Sequence, residues 1–460
     1  MVIVKLRDRV DRFVAVGGLA AQVYGGYKAI SLREQKLGLD REAAEEKRRK
    51  HHTRSANRFY DIAVTRQGLL IKLGQIIGAR PDLIPEEYIH VLSRLQDAVP
   101  PRPFPVIKER VEKQLGRPLE DVFAEFEETP IASASLAQVH KARLHDGRVV
   151  AVKVQYPGIQ GIVENDLRNV RFLLRILAQF ERNLDFTPII EEISNNAPLE
   201  LDFINEGHNA EMIAKNFEER LDIIVPEIHW EYTTRRVLVM EYIEGVKVTD
   251  VAAMERIGID KQAVSQLVTD AYCEQLFLHG MFHADPHPGN LLVQRGPTGN
   301  PVLVMLDFGL CRKYDDKFRI GYARMTNAML RWDLPEMIEA YKELGVKVKN
   351  PNDPAVYIEL GRAFMETTKP GTAYADADLV SEANERMSKV FKANPITDIP
   401  RELLLIMRVT GLLSGLAKHH DSRVDVINTL LPYTQMALDG AGGGRATPVS
   451  AQRAGQGETT

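Results

Sequence analysis

Three short stretches carry the side chains that could do chemistry. The first is Val149–Gln155 (VVAVKVQ), where Lys153 stands in the middle of an apolar run. A lysine there is costly unless an anion meets it, so it calls for a carboxylate and, in a working site, for phosphates. The second is Phe282–Val293 (FHADPHPGNLLV), in which Asp285 and Asn290 are five residues apart. The third is Asp307-Phe308-Gly309, at the end of the apolar run VLVML. An aspartate leaving a buried strand with a glycine close behind is placed to hold Mg²⁺ against phosphate oxygens. D-F-G alone means almost nothing. A buried lysine, D-x4-N and D-F-G in this order point to phosphoryl transfer from ATP, with Asp285 orienting the acceptor and Asn290 and Asp307 holding the metal.

The same loop admits a metal-hydrolase reading. His283-x-Asp285-x-His287 alternates zinc-type ligands, and His279 lies one turn upstream. No second histidine pair at ligand spacing occurs elsewhere, and the prolines beside His287 suit a rigid loop, so phosphoryl transfer is preferred. His279 is read as a structural histidine and His283 as a group that orients the loop backbone.

These residues need elements to position them. Gln138–Leu144 and Arg148–Val154 read as strands joined by a turn at Asp146-Gly147, and Arg235–Ile243 reads as a third. Asn290–Gln294 and Val302–Asp307 are two more short strands. Helical periods cover 56–97, broken by Pro81 and Pro85, then Gly161–Gln179 and Ile189–Phe217, and most of the chain after Asp260. VPPRPFP (Val99–Pro105) is a linker. Leu403–Leu416 contains Arg408 and reads as a core helix. The expected organisation is a basic helical segment (1–55), a helical extension (56–125), a small β-containing lobe with a helical insert (126–245), a larger helical lobe (246–438) and a disordered tail (439–460).

Composition narrows the classes. The chain has 460 residues, too many for one ordinary core, and 44% apolar with 27% charged residues excludes wholesale disorder. A formal net charge of −4 argues against a nucleic-acid partner. Only Cys273 and Cys311 are present, so disulfide and cysteine-metal frameworks are excluded and a reducing, cytoplasmic setting fits. Phe13–Ile30 is apolar but broken by Gln22, Lys28 and four glycines. Its Gly17, Ala21 and Gly25 would form a small-residue stripe, suited to close helix contact in a dimer or a membrane, or else to a plain surface helix. Arg41–Arg54 reads as solvated salt pairing rather than attraction to anionic lipid.

Further motifs are specific, and through them the sequence resembles the UbiB/AarF-type atypical kinases. Lys72-Leu73-Gly74-Gln75 matches the family's KxGQ motif, followed by Arg80-Pro81-Asp82 and Leu92–Asp97. Ala132-Ser133-Ala134-Ser135 with Gln138-Val139-His140 resembles its alanine-rich loop, with Ser133 in place of the more usual alanine. Glu200-Leu201-Asp202-Phe203 matches its ExD motif, and Glu206 corresponds to the helix glutamate that pairs with the strand lysine. The resemblance runs from about Phe59 to about Ala417.

The resemblance implies an α+β, protein-kinase-like fold of two lobes, with the N-terminal helical extension carrying KxGQ across the active site. Lys153 would contact the α- and β-phosphates of ATP or ADP and pair with Glu206. Ala132–Ser135 would cover the phosphates, stiffer than a glycine loop because alanine and serine avoid positive φ. Met240, Glu241 and Tyr242 would meet adenine. Lys72, Gly74 and Gln75 would gate the pocket, with Lys72 meeting Glu200 and Asp202. The family link implies a part in (prenyl)quinone or other lipid metabolism, with a lipid or quinone precursor, a membrane surface, lipid-modifying enzymes or a second copy as partners, and a peripheral place at the inner face of the membrane. After Gly309 the chain runs LCRKYDDKFRIGYARM, without serine or threonine until Thr326 and without an Ala-Pro-Glu anchor. That disfavours a protein substrate. The alternatives are an aminoglycoside- or choline-kinase type of phosphotransferase, against which KxGQ and the alanine-rich loop count, and a nucleotide-binding pseudokinase scaffold.

Overall fold

The computed structural model describes residues 6–37, 40–78, 85–96, 99–180, 194, 197–367, 386–387, 389–422 and 424–440. Arg80-Pro81-Asp82, Asp97 and the tail after 440 lie outside them. The chain divides into two units, Met1–Gly207 with Ile228–Tyr242, and His208–Glu227 with Ile243–Thr460.

The first unit opens with helices Leu6–Leu37 and Arg41–Arg66. The apolar stretch Phe13–Ile30 lies inside the first of these. Gly25 of the expected stripe faces open space, whereas its neighbour Gly26 meets the His51 ring of the second helix. The helical period expected over 56–97 breaks where no proline stands, at Gln67 and Gly68, which take φ of 54° and 72°. The break is held from a distance. Arg12, only 5% exposed, donates to the carbonyls of Arg66 and Gln67 and pairs with buried Asp166.

Past the break, helix Leu69–Gly78 sends Leu70 and Ile71 into one core with Ala63, Leu92 and Leu95, and Leu69 into a second with Val150, Val152 and Val154. The second core lies under an antiparallel sheet of strands Phe123–Phe126, Ala137–Leu144, Val149–Gln155 and Val237–Glu241, in that order, with Ala132–Ser133 paired to Ala137–Leu144. Gly147 turns the central hairpin at φ 90°, a conformation open to glycine, and Asp146 accepts from Arg148 N.

Helix Ile159–Phe180 follows the lysine strand. Of the helix expected from Ile189 to Phe217, the described residues show a helical Ser194, a turn at 197–201 and the helix Phe203–Asn216; 189–193 and 195–196 lie outside them. Pro198 lacks a helical donor, and Asp202 starts the helix by accepting from Ile204 N and Asn205 N.

In the second unit, strands Ile223–Ile224, Pro301–Met305, Leu291–Arg295 and Val246–Lys247 form a four-stranded sheet. Met281–His283 pairs with Cys311–Lys313. Helices Lys261–Cys273, Asp316–Arg331, Leu334–Leu344, Ala355–Thr367, Arg401–His419 and Val426–Asp439 belong to the same unit. No helix among the described residues is long and apolar enough to cross a membrane.

Candidate functional site

The candidate residues fall into two groups, one in each unit. In the first unit, Lys153 pairs across the sheet with Val139 and Leu238, on a buried strand that leaves the residue 8% exposed. Its Nζ lies 2.6 Å from Oε1 of Glu206, which is 2% exposed, and 5.3 Å from the centroid of the Phe203 ring. Each charge offsets the desolvation of the other.

The alanine-rich loop is held by its own hydrogen bonds. Ala134 N donates to Ala137 O, Tyr156 N donates to Leu136 O, and the Ser133 and Tyr156 hydroxyls are 2.8 Å apart. None of residues 132–135 takes a positive φ. Gln138, 1% exposed, anchors the next strand to the proline linker by accepting from Arg102 N at 2.7 Å. The amide also lies 2.8 Å from Nε2 of His140, whose Nδ1 lies 2.7 Å from the Glu127 carbonyl. A carbonyl only accepts, so Nδ1 carries the hydrogen; burial pulls His140 below its ordinary pKa.

Lys72 Nζ lies 2.9 Å from Oε1 of Glu200, with the two side chains 15% and 17% exposed. Asp202 is elsewhere engaged, with the Arg235 guanidinium at 2.8 Å. Burial opposes its ionisation, but Arg235 and the N–H groups it caps hold its carboxyl below the usual range. Gln75 donates to Leu95 O at 3.0 Å. A side chain at Gly74 would run into Leu95 and Phe59. At the end of this unit Tyr242 N donates to Val149 O at 3.1 Å, Glu241 stands opposite Val150, and Lys141 Nζ covers the Tyr242 ring at 4.5 Å.

In the second unit, Asp285 follows strand Met281–His283, and a 3₁₀ turn at Pro288–Asn290 brings Asn290 back beneath it. Asn290 Nδ2 donates to the Asp285 carbonyl at 3.2 Å, which leaves the amide oxygen as the atom able to meet a cation. Asp307 adopts φ 58°, and its Oδ1 accepts from Gly309 N at 3.4 Å. A carboxylate and an amide oxygen are hard donors of the kind Mg²⁺ takes alongside phosphates and water.

The histidines are engaged otherwise. His283 is fully buried with Nε2 2.7 Å from the Asp307 carbonyl, and His287 Nδ1 accepts from Gly289 N. His279 is half-buried beside Phe217, and desolvation together with Arg220 pushes it down to about 4. After Gly309 only the strand Cys311–Lys313 intervenes before helix Asp316–Arg331, which Asp315 caps at Phe318 N.

Several partners were absent from the sequence reading. Arg408 Nη2 lies 3.1 Å from Oδ1 of Asp285; its signal was a charge inside an apolar helix. Arg235 meets Asp202, and buried Asn209 donates to Phe308 O at 3.0 Å. Tyr272 and Gln275 both reach His283. Nothing in the local pattern of these last three marked them.

Comparison with known proteins finds a matching family model and similar chains. A family model described as the ABC1 atypical kinase-like domain matches residues 94–341. The chain is 37% identical over 374 residues to AarF domain-containing protein kinase 1 of Gallus gallus, covering 79% of this chain and 71% of that protein. AarF domain-containing kinase 1 of Drosophila melanogaster is 39% identical over 383 residues, with 82% and 74% covered. Protein ACTIVITY OF BC1 COMPLEX KINASE 8, chloroplastic, of Arabidopsis thaliana is 32% identical across 79% of this chain and 51% of its own length. Among solved structures, that of Rv3197 with erythromycin from Mycobacterium tuberculosis is similar in fold, with TM-score 0.58 at 24% identity over 84% of this chain and 97% of that one.

Proposed function

The chain belongs to the ABC1/AarF atypical kinase family, and from that membership we propose that it is a Mg²⁺-dependent, ATP-binding atypical kinase or ATPase. The buried Lys153–Glu206 pair carries this reading. An ammonium held rigidly by one carboxylate is organised to meet a second anion, here the α- and β-phosphates. Asp307 and Asn290 would hold Mg²⁺, which when bound neutralises phosphate charge. Asp285 would orient water or the acceptor hydroxyl. Glu241 and Tyr242 would meet adenine, Ala132–Ser135 would lie over the phosphates, and Lys72, Gly74 and Gln75 with Glu200 and Asp202 would gate entry from the extension (56–125).

The short path from Gly309 to the helix at Asp316 supports a small acceptor or water over a polypeptide. We assign that acceptor to (prenyl)quinone or other lipid metabolism on the KxGQ and alanine-rich-loop resemblance, with the protein peripheral at a membrane surface. Quinone and lipid profiles of a deletion strain test the assignment, and unaltered profiles would remove it. The nucleotide site is tested by thermal shift with Mg²⁺–ATP in wild type and Asp307→Asn. The wild type should gain several degrees and the variant little; equal shifts would sink the reading.

A further inference from the structure

One imidazole ties the loop of Asp285 to the strand end at Asp307. The Asp307 carbonyl only accepts, so the His283 Nε2 that lies 2.7 Å away carries the hydrogen. Nδ1 of that tautomer is an acceptor, and the group facing it is the Tyr272 hydroxyl at 3.2 Å, which is therefore the donor. Tyr272 is 1% exposed near the end of helix Lys261–Cys273.

The next turn, Glu274–His279, is π-helical, a form that re-aims side chains and is common at functional sites. Its Gln275, also buried, accepts from His283 N at 2.9 Å through Oε1 and donates to Ala271 O at 3.1 Å. Ring and backbone of His283 are thus fixed from adjoining turns of one helical segment.

What they fix is strained. Asp307 has φ 58°, the left-handed region, which costs a non-glycine residue about 1 kcal/mol or more and persists where neighbours enforce it. We propose that Tyr272 is a positioning residue for the metal-holding carboxylate: its hydroxyl anchors Nδ1 of His283 and so holds the ring in the orientation from which Nε2–H pins the left-handed backbone of Asp307. The proposal rests on Asp307 being a Mg²⁺ ligand. The Asp307 carbonyl itself favours the Nε2–H form, so losing the hydroxyl frees the ring rather than changing its tautomer. A ring that turns loosens the Nε2–H bond to the Asp307 carbonyl, and the turn that aims the carboxylate relaxes.

Tyr272→Phe in the full chain removes the hydroxyl and keeps the ring. Nitrogen NMR of the histidine-labelled protein, with His283→Gln for assignment, should show an Nε2–H form in both proteins, its hydrogen exchanging with solvent faster in Tyr272→Phe. The apparent Mg²⁺ affinity in nucleotide binding should fall about tenfold in Tyr272→Phe, as for other groups that orient a metal ligand, while nucleotide affinity in EDTA stays unchanged. Equal exchange of that hydrogen in the two proteins, an unchanged Mg²⁺ affinity, or an equal loss in EDTA would each overturn the proposal. Asp307→Asn is titrated alongside. If it leaves the Mg²⁺ dependence intact, the metal reading falls and this proposal with it; if only Tyr272→Phe does so, this proposal alone falls.

Discussion

Arg408 Nη2 lies 3.1 Å from Oδ1 of Asp285, joining residues 123 apart in sequence. The two side chains are 23% and 21% exposed, so the pair is screened less than a surface ion pair. Arg408 stands in the otherwise apolar run LLLIMRVTGLL, on a helix that buries Leu405, Ile406 and Val409. Its guanidinium holds the carboxylate in one orientation. Arg408→Ala should cost about 1–3 kcal/mol in urea unfolding, because Asp285 loses a charged partner. Turnover should fall about tenfold or more, with Mg²⁺–ATP affinity little changed. Arg408→Lys restores the charge but not the planar fork, and should recover part of the rate. Full activity in Arg408→Ala would leave the pair a purely structural role.

The Lys72–Glu200 contact at 2.9 Å fastens the KxGQ helix to the turn before helix Phe203–Asn216. If the extension restrains catalysis, breaking this ion pair should release it. Lys72→Ala and Glu200→Gln should then raise ATPase or autophosphorylation by roughly fivefold or more, the range of ordinary coupling energies. Agreement between the two variants matters, since they remove opposite charges from one contact. Unchanged rates in both would count against gating.

Gly74 tests the same helix by packing. A Cβ there would lie 2.8 Å from Cε1 of Phe59 and would also strike Leu95. Gly74→Ala should therefore destabilise the first unit by about 1–3 kcal/mol, read as a lower midpoint of thermal unfolding. A wild-type midpoint would show that the helix moves aside freely. If the rate changes while Lys72 is intact, packing rather than charge sets the restraint.

Much of the frame was legible because it is local. The alternation around Asp146-Gly147 marks the hairpin that carries Lys153, and the runs before D-F-G mark the strands that bring Asp307 out. What stayed hidden depends on distant partners. Gln67 and Gly68 break a helix because Arg12, more than fifty residues earlier, takes up the freed carbonyls. Asp202 and Glu200 look alike in the ExD motif, yet one meets Arg235 and the other Lys72. Sequence spacing gives the residue types that chemistry needs, but it does not say which of several available cations answers a given carboxylate.

A buried cluster in the second unit makes a prediction about pH. Arg220 pairs with Asp222 at 2.7 Å and with Glu274, while Asp270 bonds the Tyr433 hydroxyl at 3.0 Å. Two carboxylates share one guanidinium, and a third stands near them. Burial, reinforced by Asp270 and Asp222, pushes Glu274 up to about 7 against the pull of Arg220. Between its unfolded value of 4.5 and about 7 the folded protein holds the extra proton, so this group lowers stability as pH rises through that window. His279 does the reverse. Its pKa falls from 6.5 to about 4, so the unfolded chain holds the extra proton between those values and stability rises with pH. The two slopes, on the order of 1 kcal/mol per pH unit each, oppose one another in wild type between about pH 4.5 and 6.5. Glu274→Gln removes the falling slope, and stability should then climb with pH across this range. His279→Phe, which keeps a ring against Phe217, removes the rising slope and should leave a protein more stable at pH 5 than at pH 7. Urea unfolding of the three proteins at both pH values checks the signs. Parallel curves for all three would mean that neither group changes its protonation on folding.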